Sequence, residues 1–103
     1  MYEVVYLPTA RRELEEAALY IAVELSAPES AGALVDAVDE AVCSLREMPY
    51  RHAVYQSLRA LEREVRFIPV KNYNIFYIVH EEHKVVEIQR ILYQRRNVKA
   101  PMP

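Results

Sequence analysis

The hydrophobic period changes once along this chain, and that change limits what the chain can fold into. From residue 10 to 45, apolar side chains recur every three or four positions. From residue 64 to 93 the chain turns to runs rich in Val, Ile, Phe and Tyr. The first pattern is that of helices with one buried stripe, the second that of strands. Helices followed by consecutive strands predict an α+β domain rather than alternating layers. The 103 residues suit one domain, and a hydrophobic content of 52% supplies a core and excludes wholesale disorder. Gly32 is the only glycine, which disfavours a sandwich of many tight, glycine-dependent turns.

Residues 2–7 alternate aromatic and branched side chains up to Pro8 and predict a first strand. Thr9 is placed to cap a helix over residues 10–25, with Leu14, Ala17, Ala18, Ile21 and Leu25 on one face and glutamates largely elsewhere. Ser26-Ala27-Pro28-Glu29 reads as a capping box with proline in the first turn. The second helix it opens carries Ala31, Leu34, Val35, Val38, Ala41, Val42 and Leu45 on its stripe and stops before Pro49. Residues 49–62 are assigned to a loop, with one helical turn over 57–63 as the alternative. Strands are then expected over 64–70, 73–80 and 84–93, with turns at Lys71-Asn72 and at residues 81–83.

The expected architecture is therefore an N-terminal strand, an α-helical hairpin and a three-stranded antiparallel meander. Together they form one sheet with the helices on one face and the other face at least partly open. The 73–80 strand, apolar on both sides, should be central. A single domain is expected over residues 1–97, with a flexible tail over 98–103.

Charge is unevenly distributed. Residues 1–48 hold ten acids against Arg11, Arg12 and Arg46, whereas residues 49–103 hold ten lysines and arginines against five glutamates. The two readings are a concealed electropositive face or ordinary solvated surface. Cys43 is the only cysteine, so neither an internal disulfide nor a cysteine zinc site can form, and a reducing cytosol is expected. No apolar run approaches membrane-spanning length and no leader-like segment opens the chain, so the expected location is cytoplasmic, with no membrane partner.

The segment Val65-Arg66-Phe67-Ile68-Pro69-Val70-Lys71-Asn72-Tyr73-Asn74-Ile75-Phe76-Tyr77 places an arginine strand before a turn and a Tyr-x-x-x-Tyr strand. The closing run Ile88-Gln89-Arg90-Ile91-Leu92-Tyr93-Gln94-Arg95-Arg96-Asn97 is an apolar strand that ends in a tyrosine and paired arginines. Taken with the first strand and acidic helix hairpin, these segments resemble the RelE/ParE toxin superfamily of type II toxin–antitoxin (plasmid stabilisation) systems over residues 2–97. The resemblance implies a toxin silenced by a cognate antitoxin in a hetero-oligomeric complex. RelE-like members cut mRNA in the ribosomal A site; ParE-like members poison DNA gyrase. The leading expectation is ribosome-dependent mRNA cleavage, and the alternatives are gyrase inhibition without chemistry or a catalytically decayed interaction module.

Metal-free RNA cleavage needs a base for the 2′-hydroxyl, donors for the pentacovalent phosphate and an acid for the 5′-oxygen. Arg66 fits the donor role by the family pattern; otherwise it is a sheet arginine paired with Glu64 or Glu87. Tyr93, where relatives carry His or Tyr, is placed to donate a proton or stack on a base, or is simply an edge tyrosine. Arg95 completes the catalytic set suggested by the resemblance. Lys71, Arg90, Arg96 and Lys99 are candidate RNA or target contacts. Glu62 or Glu64 could serve as a base, and His52 could approach the cleft. His80 and His83 flank a turn without zinc-site spacing, so no metal or other cofactor is expected. Cys43 is assigned to helix packing. The antitoxin is expected to contribute an apolar, acidic segment that folds on contact with the sheet or the helix hairpin.

Overall fold

The computed structural model describes residues 1–55 and 63–94. Strand β1 (Glu3–Tyr6) runs into helix α1 (Pro8–Leu19), which continues as a π-helical turn over Tyr20–Glu24. Helix α2 (Pro28–Ser44) folds back against α1, and strands β2 (Arg66–Val70), β3 (Tyr73–His80) and β4 (Val85–Tyr93) follow. The four strands form one sheet in the order β1-β4-β3-β2. β2, β3 and β4 are antiparallel neighbours, and β1 lies parallel to β4. This is the expected α+β arrangement, with β3 in the interior.

Helix α1 packs on β4 and α2 on β2, so both helices cover one face. Between them and the sheet, Leu14 and Ala17 of α1 and Leu34, Val38 and Val42 of α2 meet Ile75, Tyr77, Val86, Ile88 and Ile91 in one apolar cluster. Removing these side chains from water is the main force holding the layers together. Tyr77 is fully buried there, and its hydroxyl donates to the Pro49 carbonyl at 2.6 Å. Burial pushes that phenol up to about 12.

The opposite face is not bare. Val65, Phe76 and Leu92 are buried in a second, smaller cluster with Tyr55, Phe67 and Ile78 packed on it. The rings of Tyr55 and Phe76 meet edge-on at 5.2 Å between centroids. The face expected to be at least partly open is thus covered at its centre only. The cause is the second apolar side of β3, which needs a cover as much as the first.

Both helix starts also differ from the capping expectations. Leu7 is the N-cap of α1 and Pro8 its first residue, with no side-chain cap, so Thr9 lies inside the first turn. Proline there has no amide to satisfy and its φ is already helical. At the hairpin, Leu25 N–H bonds Tyr20 O at 3.2 Å and Ala27 N–H bonds Ile21 O at 3.1 Å. Closing that wide turn requires a left-handed residue, and Ser26 supplies it at φ 50°. Ser26 thus ends the first helix, and Ala27 precedes the second without a side-chain cap.

Cys43 is exposed, one position off the stripe formed by Leu34, Val38, Val42 and Leu45, and not a core packer. Residues 56–62 and 95–103 lie outside the described residues, and with them most of the alternative helical turn at 57–63 and the tail assigned to 98–103. Among the described residues, no helix is long and apolar enough to cross a membrane.

Candidate functional site

Among the described residues, those proposed to share a cleft stand apart on the sheet, Arg66 at the start of β2 and Tyr93 at the end of β4. Arg66 lies across from Tyr77, and Tyr93 lies across from Tyr73. Those positions are four steps apart along β3, about 13 Å at roughly 3.3 Å per residue, with β3 itself lying between the two strands.

At the first end, Arg66 closes the loop that follows α2. One guanidinium nitrogen donates to the carbonyls of His52 at 2.7 Å and Tyr50 at 3.2 Å; the other meets Glu64 at 2.8 Å. The Tyr50 ring lies 5.2 Å from the guanidinium carbon. With its side chain only 17% exposed, Arg66 is a staple, as in the reading that paired it with Glu64. Tyr50 passes the contact onward: its hydroxyl donates to Glu81 at 2.8 Å, and Tyr2 donates to the same oxygen at 2.6 Å. Lys84 completes the group through its ion pair with Glu81. Hydrogen bonds from Lys84, then Tyr2 and Tyr50, bring the Glu81 carboxyl down to about 2. Desolvation, then the bond to Glu81, pushes Tyr50 up to about 12.

This end is poorly equipped for proton transfer. Tyr50 and Tyr77 hold their protons at neutral pH and already donate them in hydrogen bonds. His52 is held below its usual pKa by burial, then by Arg51 and Arg66. Its Nε2 is buried without a hydrogen-bond partner, so it cannot reach a substrate hydroxyl. The hollow lined by Tyr50, Arg63, Glu64 and Arg66 has a volume of about 180 Å3. Cavities that enclose small ligands are generally ~300–1,000 Å3.

The other end is apolar and open. A groove of about 630 Å3 runs between α1 with its π-helical turn and the start of β3 and the last residues of β4. Tyr93 is 40% exposed on its margin, with its ring edge-on to Tyr73 at 5.4 Å. Lys71 is exposed in the β2–β3 turn in a left-handed conformation, φ 56°. Gln94 ties β4 to that turn through its N–H to Asn72 O at 2.9 Å. Lys71 and Tyr93 therefore share an end. Arg95, Arg96 and Lys99 lie outside the described residues, as does Glu62.

Arg90 is held elsewhere. Gln89 is an extra residue on β4: Phe76 faces Arg90 while Tyr77 faces Ile88. Such a bulge re-aims the neighbouring side chains. The Arg90 guanidinium makes two bonds to one oxygen of Glu13 on α1, at 2.9 and 2.7 Å, and the other oxygen accepts the Ile91 amide at 2.9 Å. Neither charge is left free for a target.

The model of the ParE toxins of type II toxin–antitoxin systems, parDE, matches residues 4–98. The chain belongs to this family. Among solved structures, the ParE-family chain resembles one from the chromosomal ParDE toxin–antitoxin system of P. aeruginosa. The TM-score is 0.71 at 21% identity, over 90% of this chain and 96% of that one. It also resembles a chain of the toxin–antitoxin complex RelBE2 from Mycobacterium tuberculosis, with TM-score 0.60 and 26% identity over 89% and 96% of the two chains. A third likeness is to the archaeal RelE–RelB complex from Pyrococcus horikoshii OT3, with TM-score 0.62 and 18% identity over 92% and 97%. No curated protein matches the sequence.

Glu13, Tyr50 and Glu81 were not singled out from the sequence of this ParE-family toxin, yet they organise its two ends. Glu13 offered one signal, a glutamate four residues before buried Ala17 and beside buried Leu14. Its partners lie 77 and 78 residues away, beyond any local pattern.

Proposed function

We propose that this ParE-family toxin arrests growth by binding DNA gyrase, without bond-breaking chemistry of its own, and that a cognate antitoxin holds it silent. One observation carries the reading: among the described residues, Arg66, Arg90 and Tyr93, nominated for RNA cleavage or target contact, do not converge. Arg66 is committed to two carbonyls and Glu64, Arg90 is committed to Glu13, and Tyr93 stands at the far end from Arg66. A phosphoryl-transfer site needs its donors and acid/base groups aimed at one reacting centre. The match to the ParE family supports gyrase as the target, and the likeness to chains from toxin–antitoxin complexes supports the antitoxin.

Ribosome-dependent cleavage of mRNA is the second reading. It is favoured by the likeness to the RelE complexes and by Lys71 and Tyr93 sharing one end, next to the Arg95-Arg96 step in sequence.

Two assays on the purified toxin separate them. Supercoiling by gyrase should fall as toxin is added, while primer extension on ribosome-bound message should show no new ends. Message cut at the A site with supercoiling unchanged would reverse the assignment.

A further inference from the structure

We propose that the hollow beside the last residues of β3, where Arg63 and Arg66 meet, is a binding site for one inorganic phosphate ion. The site goes beyond the choice of cellular target, and it stands or falls apart from that choice.

The backbone opens the hollow. Pairing between β2 and β3 stops at Arg66 and Tyr77, although β3 runs on to His80. Phe67 N–H bonds Ala53 O, so the backbone groups of Phe67 point away from β3 and those of Arg66 point towards it. Alternation along β3 then turns the N–H and C=O of Tyr77 to β2. The next pair on that side, those of Val79, faces the space that β2 leaves. Ile78 and Val79 line that space with Tyr50, Arg63, Glu64 and Arg66. The wall therefore carries a backbone donor and a backbone acceptor.

Two guanidinium groups border the same space, and they are not equivalent. Arg66 is committed to the His52 and Tyr50 carbonyls and to Glu64. Arg63 is exposed and meets Nδ1 of His80 at 3.2 Å. A guanidinium can only donate, so Nδ1 accepts and the ring proton sits on Nε2, 3.3 Å from Glu87. The His80 ring thus separates Arg63 from the Glu87 carboxylate. Arg63 forms no ion pair among the described residues. Burial, then the charges of Arg51 and Arg66, hold His52 below its usual pKa, so the positive field reaches past the hollow. An anion is the missing partner.

Size and proton content select the ion. A volume of about 180 Å3 holds about six water-sized groups at ~30 Å3 each. A five-atom oxyanion with a water beside it fits that space, whereas a nucleotide does not. Guanidinium forks match the oxygens of phosphate. Inorganic phosphate also keeps a proton at neutral pH. It can accept from Arg63 and the Val79 N–H while donating to the Val79 C=O; sulfate can only accept. Glu64 is the acid at the site, with its side chain 57% exposed and its carboxylate on Arg66. Exposed pairs of this kind are weak, so Glu64 acts as a displaceable competitor.

The test uses the full chain, labelled with nitrogen-15 and titrated with sodium phosphate at neutral pH and constant ionic strength. Backbone amides and the His80 ring nitrogens are followed by NMR. The Val79 amide and His80 Nδ1 should shift together and saturate. Arg63→Gln should weaken binding about tenfold or more and Arg63→Lys less, while Glu64→Gln should tighten it about threefold. Arg12→Gln, on α1, should leave it unchanged. Each variant is checked for native amide dispersion, and Arg63→Lys carries the test if Arg63→Gln does not fold. Sulfate should bind about threefold more weakly or worse. Shifts that never saturate overturn the proposal, as does unaltered affinity in both Arg63 variants. Equal affinity for sulfate overturns the choice of ion. AMP bound as tightly as phosphate would also overturn it, by giving the site to a phosphorylated end.

Discussion

The two ends of the sheet use similar residue types for opposite purposes. Around Arg66, cations, carboxylates and tyrosine hydroxyls are joined in a continuous set of contacts that ties the chain start, the loop after α2 and the β3–β4 turn together. Around Tyr93, aromatic and aliphatic side chains stand exposed beside an unfinished strand edge. An arginine in a suggestive sequence position is therefore not an available arginine. Its contacts decide whether it serves the fold or a partner.

The largest effect that separates the ends should come from Arg66→Ala. Removing a cation that satisfies two carbonyls and a carboxylate should lower the unfolding free energy by about 3 kcal/mol in urea titration. Stability unchanged within error would mean the staple holds nothing. Tyr77→Phe should follow, at about 2 kcal/mol, because the Pro49 carbonyl would lose its buried donor.

Acid titration sharpens the same contrast. Glu81, depressed to about 2 from an ordinary 4.5, contributes stability that is present above 4.5 and lost as pH falls towards 2. Glu81→Gln should flatten the unfolding midpoint across that window. His52, also depressed, resists protonation in the folded state while the unfolded chain accepts a proton near 6.5. Stability should therefore decline as pH falls below about 6.5, and His52→Phe should remove that slope.

Smaller effects belong to the other end. Lys71→Gly should stabilise by about 1 kcal/mol, since Lys71 occupies the left-handed region at φ 56°. Tyr20→Ala should change stability by no more than about 0.5 kcal/mol, as expected for an exposed side chain. A loss of several kcal/mol there would make the exposed side chains of the π-helical turn part of the fold.

Much of the fold was legible because it follows local periodicity. The 73–80 strand was read to its observed ends, and Ala31, Leu34, Val38, Val42 and Leu45 are the buried stripe of the second helix. The helix boundaries were misread at Thr9 and Ser26 because a capping residue type also suits a first turn or a left-handed stop. The π-helical turn escapes the sequence reading, and the Gln89 bulge shows only as a step of three between Ile88 and Ile91, where plain alternation along β4 gives two. The site was least legible. The Arg66–Glu64 pair is local and visible in the sequence, whereas Glu13–Arg90 and Tyr50–Glu81 join residues distant in sequence.

Inhibition of gyrase supercoiling per folded molecule of Arg66→Ala addresses the division of labour most directly. Arg66 as a staple predicts wild-type specific inhibition from a less stable protein, with the deficit restored by lower temperature. Full stability with inhibition abolished would place Arg66 in the working surface and contradict this account.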